Sequence, residues 1–224
     1  VDAHMMKNTE WGAVAYLKQS KYGLGLTDIG NNAYYNNYQY KAGCGPASET
    51  DLTSETTICT SYTSIAGVKS STTGNIYGVY DMAGGAYEHV MGVIQDNTNT
   101  STPMSGYSTS HNSGFTGKLY DSGKYTSYTG TAFPSSKYYD LYAFGTTNKD
   151  SSAYARRILG DATSETRGWY SDYMYIAFAQ NPWFQRGGIA GYGSKKTAGV
   201  FCTSGAIGVG NRDQSFRSVL ALGA

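Results

Sequence analysis

Charge is scarce in this chain: 15% of its 224 residues are Asp, Glu, Lys or Arg, and the formal net charge is +1. A field that weak points away from nucleic acid and from membrane surfaces as partners. No apolar run approaches the ~20 residues that a membrane-spanning helix needs. Cysteine is scarce too. Cys44, Cys59 and Cys202 form no Cys-x-x-Cys pair and no cluster with histidine, which argues against a zinc site. His4, His89 and His111 are scattered singly, so none has the company a catalytic base requires. No Asp-x-Asp or Glu-Pro-Asn pattern supports calcium, and no metal or other cofactor is expected. A secretory leader is also lacking. Val1-Asp2-Ala3 reads as a chain already in progress, so the expectation is the C-terminal part of a longer protein.

What the chain has in excess is 22 Tyr and 29 Gly. Tyr with Gly, Ser and Asn is the mixture of paratopes, where rigid amphipathic rings sit among adaptable loops. It also suits a loop-rich extracellular domain with aromatic cross-strand packing. Cys44 and Cys59 flank a polar stretch, and a disulfide there would contribute roughly 3 kcal/mol in the chain-entropy view and imply an oxidising compartment. Three unrelated buried thiols are the other reading.

The strongest helix signal is "KNTEWGAVAYLKQSKYG". Asn8 or Thr9 can accept from the first free amides, Glu10 sits at the positive end of the dipole, and Trp11, Val14, Ala15 and Lys18 share a side. Gly23 and Gly25 are expected to stop it. From Leu26 to about Thr73, and again from Gln95 to Thr131, the chain is polar and lacks a period. Short apolar pieces lie between and after: "NIYGVYDMAGGAYEHVMGVI", with room for two strands, then "DYMYIAFAQ", "AGVFCTS" and "SFRSVLAL". A weak helical period appears at "ILGDATSETRG". The expectation is one α+β domain over residues 1–224, with a small twisted antiparallel sheet, few helices and much irregular loop.

"TTGNIYGVYDMAGGAYEHV" resembles the Asn-x-x-Gly-Leu-Tyr-Asp-Met-x-Gly-Asn-Val-Trp-Glu-Trp motif of the formylglycine-generating-enzyme (sulfatase-modifying-factor) family. Asn75, Gly78, Tyr80, Asp81, Met82, Gly84 and Glu88 stand at matching places, while Gly85, Ala86, Tyr87 and His89 depart from it. "NTEWGAVAYL" is similar to that family's Thr-Glu-x-Glu-Trp-Glu-x-Ala helix, "WFQRGG" to its Arg-Gly-Gly-Ser-Trp turn and "SFRSVLAL" to its Gly-Phe-Arg terminus. The resemblance implies a C-type-lectin-like fold. Within that superfamily, Trp-Phe-x-Arg-Gly-Gly, Gly-Ser, Ala-Gly-Val-Phe and Ser-Phe-Arg-x-Val-Leu-Ala-Leu resemble the variable region of diversity-generating-retroelement proteins of bacteria and phages, here residues 183–222. Such domains sit on secreted, sometimes pilin-like, surface proteins, which implies an extracellular, cell-surface, pilus-associated or virion location.

Enzymes of the family carry paired cysteines just after the Arg-Gly-Gly-Ser-Trp turn, where this chain has Ile189, Ala190, Gly191 and Tyr192. Cys202 comes later, without a histidine near it in sequence, so a cysteine oxidase is not expected. Ser194 lacks the second glycine of a nucleophile elbow, and "GIAGYG" lacks the βαβ context of a dinucleotide loop. Asp81 with Glu88, and Asp161 with Glu165, read as structural carboxylates and not as acid–base pairs. The expectation is therefore a non-catalytic display protein. Trp11, Asp81, Glu88, Arg186, Gly187, Gly188, Phe216 and Arg217 would form the frame, with Val200, Phe201, Val219 and Leu220 buried alongside Phe216. The ligand-binding set would be Ile189, Ala190, Tyr192, Lys195, Lys196, Thr203, Ser204, Ala206, Asn211 and Arg212 around a shallow hollow. Tyr192 and Arg212 would serve as anchors, and Lys195 and Lys196 would steer an acidic ligand. The partner would be an unidentified protein or glycan. A pilin-like or phage-fibre subunit and a fixed carbohydrate-binding lectin are the alternative functions.

Overall fold

The computed structural model describes residues 1–29, 42–46, 57–146, 158–189 and 198–221, with the backbone alone for 44–46 and 57–58. The chain opens with β1 (Asp2–Met5), which pairs antiparallel with the last strand, so the two ends of the described chain meet at Asp2 and Ala221. Helix α1 (Asn8–Gln19) follows. Its buried residues Asn8, Trp11, Gly12, Ala15 and Lys18 recur at helical spacing and define the inward stripe. Gly12 is needed there, because a Cβ would lie 2.3 Å from the Gly160 carbonyl oxygen. The sequence suggests that Asn8 or Thr9 caps the helix, but carboxylates do it instead. Glu10 accepts from the Lys7 amide at 2.8 Å, and Asp140 accepts from the Thr9 amide at 2.7 Å, which frees Asn8 for the core. The helix ends at Ser20, ahead of the two glycines, with Ser20 Oγ donating to the Leu17 carbonyl.

Next come β2 (Gly43–Pro46) and β3 (Thr57–Thr60), an antiparallel pair in which Cys44 lies opposite Cys59. Cys59 is disulfide-bonded, and Cys202 is not part of a disulfide. The Gly-Gly-bounded apolar piece holds one strand rather than two, β4 (Tyr87–Ile94). The polar stretch after it is more regular than its sequence suggests. It contains β5 (Met104–Ser108), β6 (His111–Asn112), β7 (Gly117–Asp121) and β8 (Lys124–Tyr128), a mixed sheet in the order β6-β5-β7-β8. Tyr120 and Tyr125 stand opposite each other there, ring centroids 5.0 Å apart.

The remaining strands are β9 (Asp140–Tyr142), β10 (Trp183–Gly187), β11 (Gly199–Ala206), β12 (Gln214–Phe216) and β13 (Ser218–Ala221). β4 is the axis of a five-stranded sheet. One edge pairs antiparallel with β10, which pairs antiparallel with β11; the other carries β12 along its first half and β9 along its second, both parallel. The sheet is thus mixed rather than antiparallel throughout. Both parallel strands return after long excursions, which parallel pairing requires. With one α-helix among the described residues, small sheets and loops, the architecture is α+β.

Two expectations fail locally. The weak helical period near Asp161 yields only a 3-10 turn, Ser164–Thr166. Phe216 and Leu220 are not buried but 64% and 68% exposed. β12 joins the central sheet while β13 joins β1, with Arg217 turned inward between them, so no single alternating pattern runs through "SFRSVLAL".

The interior is tied together by two arginines and Trp11. The Trp11 ring is fully buried, lies within 5.7 Å of the Arg186 guanidinium and 5.4 Å of that of Arg217, and donates its Nε1–H to the Val200 carbonyl at 2.8 Å. Arg217 makes a bidentate ion pair with Glu88 and donates to the Tyr80 and Asp81 carbonyls. Arg186 has no exposure at all. It donates to Asn8 Oδ1 at 3.1 Å and to the Asp161 and Ala162 carbonyls at 3.2 and 2.7 Å. Asp161, also fully buried, accepts from the Tyr142 hydroxyl at 2.7 Å and from the amide and hydroxyl of Thr163. Replacing Arg186 by Ala would leave this shell unpaired. The expected cost is about 3–5 kcal/mol, read as a lowered denaturation midpoint in urea; a loss below about 1 kcal/mol would show that the shell does not depend on the guanidinium.

Candidate functional site

Side-chain alternation divides the terminal strands between two faces. On β10, Phe184 and Arg186 point into the main core, where Phe184 meets the Tyr142 ring at 4.6 Å. Trp183 packs on the other side, stacked against Phe133 at 5.8 Å, and Gln185 shares that side. β4 divides likewise: Glu88, Val90 and Ile94 go to the main core, while Tyr87, His89, Met91 and Val93 take the opposite face. On β11 the register sets Thr203 opposite Arg186 and Ser204 opposite Gln185.

The second face opens as a hollow of about 440 Å³. Tyr87, Tyr173 and Tyr175 supply its rings, and Asn181, Gln185 and Gln214 its amide groups. Ser204, Gly205 and Asp213 also line it. Tyr173 and Tyr175 sit there because the segment between them runs beside β11. The Thr203 amide donates to the Tyr173 carbonyl at 2.9 Å, and the Tyr175 amide donates to the Thr203 carbonyl at 2.8 Å. Flanking Met174, which packs on the core, the two rings lie stacked with centroids 6.2 Å apart. Gln214 lies opposite Tyr87 in the parallel β12–β4 pairing. His89 Nε2 lies 2.9 Å from Gln214 Oε1 and 3.1 Å from Gln185 Nε2, and burial pushes the imidazole below its ordinary value.

Of the residues expected to bind ligand, Ser204 lines the hollow. Asn211 and Arg212 are exposed on the turn just before Asp213, and Ile189 is half-buried. Thr203 and Ala206 are buried, so they present no side chain at the surface: Thr203 shares the inward face with Arg186, and Ala206 packs with Trp183. Ala190, Tyr192, Lys195 and Lys196 lie outside the described residues. The structure adds Tyr87, Tyr173, Tyr175, Asn181, Asp213 and Gln214, together with Gln185, which lines the hollow although it is almost wholly buried. Three of these had a sequence signal: Tyr173-Met174-Tyr175 alternates, and Gln185 sits two residues from Trp183.

The frame residues converge. Trp11, Glu88, Arg186 and Arg217 meet as described, and Gly187 and Gly188 take φ values of 81° and 75°. Gly187 needs this left-handed freedom because its carbonyl accepts from the Gly84 amide at 2.9 Å and its Cα lies against Trp11, where a Cβ would be 3.4 Å from the ring.

Cys202 is wholly buried on β11, and burial together with the nearby Asp172 carboxylate pushes its thiol far above the ordinary range. A thiol held so is a poor nucleophile. Asp161 and Glu165 are engaged in the fold: Glu165 accepts from Tyr16, Gly160 and Ala162. No group of three or more potential metal-ligating His, Cys, Asp or Glu side chains occurs among the described residues. Compared with protein families, curated proteins and solved structures, the chain matches none.

Asp172 accepts from the Phe201 amide at 3.0 Å, yet burial raises its pKa from 3.8 to about 7. Between those values the folded chain binds a proton that the unfolded chain has lost, so this group's contribution to stability falls as pH rises. Replacing Asp172 by Asn keeps an acceptor for Phe201 and removes the titration. The stability advantage of the variant is expected to grow from about pH 4 to about pH 7, with a slope approaching about 1.4 kcal/mol per pH unit. Parallel melting curves of the two proteins over that range would be the contrary result. For Cys202, a thiol reagent is expected to leave it unmodified in the native chain and to label it in guanidinium chloride, as read by peptide mapping. Rapid native labelling would contradict its burial.

Proposed function

We propose that this chain is a non-catalytic ligand-binding protein of C-type-lectin-like fold, similar to the variable proteins of diversity-generating retroelements, and that it displays the tyrosine-lined hollow for recognition at a cell or virion surface. One observation carries the reading. The last strands lock one face into the frame through Phe184, Arg186 and Thr203, and they turn the other face, through Gln185 and Ser204, into the hollow. Side chains on the hollow face can therefore change with little effect on the frame. Fixed backbone around the hollow also lowers the entropic cost of binding.

Three further features support this reading. The four motifs that carry the family resemblance meet around Trp11, through Glu88, Arg186 and Arg217. The cysteine of β11 is buried, where an oxidase would need it reactive. The disulfide at Cys59 suits an oxidising, extracellular setting. The partner in this reading is a protein or a glycan.

The DNA beside the gene provides the test. A near-copy of the segment encoding residues 183–222, next to a reverse-transcriptase gene, is expected to differ at adenines. The differences should fall on codons for Gln185, Ser204, Asp213 and Gln214, with the exposed Asn211 and Arg212, and spare Phe184, Arg186, Val200 and Thr203. Absence of a copy would favour a fixed lectin or a structural pilin-like or fibre subunit. Differences concentrated on the frame codons would overturn the display reading.

A further inference from the structure

The chemistry of the hollow favours a particular ligand. Its lining combines three tyrosine rings with amide groups, and Asp213 is the only charged residue among the described residues that line it. Asp213 Oδ1 is screened from solvent and has no hydrogen-bond donor among the described residues. A carboxylate oxygen withdrawn from water without a donor is costly, and folded proteins rarely tolerate one unless a missing partner completes it. The Asp213 backbone is fixed, because its carbonyl accepts from the Tyr87 amide at 3.0 Å at the start of the β12–β4 pairing. Asp213 is therefore held just before β12, where it lines the hollow.

Resting on the binding reading above, we propose that the hollow of this chain receives a cationic side chain, the guanidinium of an arginine or the ammonium of a lysine, projecting from a protein ligand. The Asp213 carboxylate would accept from the cation, and the faces of Tyr87, Tyr173 and Tyr175 offer the negative quadrupole that attracts it. The carbonyl oxygens of Asn181, Gln185 and Gln214 provide further acceptors. A planar guanidinium suits this set better than a compact ammonium, since it can stack on a ring and donate in its own plane at the same time. This chemistry differs from the acidic ligand that Lys195 and Lys196 suggest in the sequence.

The full chain can be titrated with Nα-acetyl-arginine amide, its lysine counterpart, the neutral isostere Nα-acetyl-citrulline amide and a set of methyl glycosides. The readout is the NMR signals of the Asn181, Gln185 and Gln214 side-chain amides. Saturable shifts are expected with the arginine compound, at least about tenfold tighter than with citrulline and weakened by added salt. In Asp213→Asn the arginine-over-citrulline preference should disappear. The comparison of the two isosteres in the unmutated chain does not depend on how the variant folds. Equal binding of arginine and citrulline, no saturation with any probe, or saturation with a glycoside alone would overturn the inference. A glycoside result would leave the display reading standing with a glycan ligand, and that reading fails separately on the DNA comparison.

Discussion

A guanidinium without access to water must find its hydrogen-bond partners inside the protein, and much of this structure is arranged around that requirement at Arg186. Its partners come from the first turn of α1, through Asn8, and from the carbonyls of Asp161 and Ala162. Ala162 takes a left-handed φ of 53°, rare for a residue with a Cβ, and its carbonyl receives the shortest of the three bonds. Nε finds no acceptor among the described residues, so the arrangement is incomplete. Breaking it would still cost more than it would relieve, since the surrounding acceptors would remain buried.

The rest of the frame follows from this centre. Trp11 lies beside both arginines and fastens to β11 through the Val200 carbonyl, so helix, central sheet and C-terminal segment share one contact region. Arg217 closes it by pairing with Glu88 on β4, at the point where β12 and β13 part company. One face of β10 and β11 is thereby immobilised. The other face packs Trp183 against Phe133 and, around Gln185 and Ser204, lines the hollow. A rigid inner face beneath a polar outer one is the physical basis for the recognition proposed for this part of the molecule.

The central part of this frame was legible in the sequence. Trp11, Glu88, Arg186 and Arg217 stand out within motifs, and the helix stripe from Trp11 to Lys18 follows from its spacing. The hollow was less visible. Ser204 and the alternation at 173–175 pointed towards it, whereas Tyr87 and Gln214 line it together because β12 pairs with β4 across more than a hundred residues of chain. Thr203 and Ala206 belong to the ligand-binding set that the sequence suggests, yet the β10–β11 register buries both. The mixed sheet of 104–128 escaped notice because its strands are short, polar and rich in Gly and Ser.

By itself, the sequence determined local matters: where a helix can form, which residues suit strands and which aromatic and charged groups need burial or pairing. These depend on spacing along the chain and on the chemistry of single side chains. Tertiary structure alone decided which face of each strand looks inward, that Phe216 and Leu220 end exposed, and that Asp213 lines a hollow beside three tyrosines, its Oδ1 without a donor among the described residues. Those outcomes depend on pairings between distant segments. A shift of one residue in register reverses every side chain of a strand, and nothing within a short strand records which register its distant partner will impose.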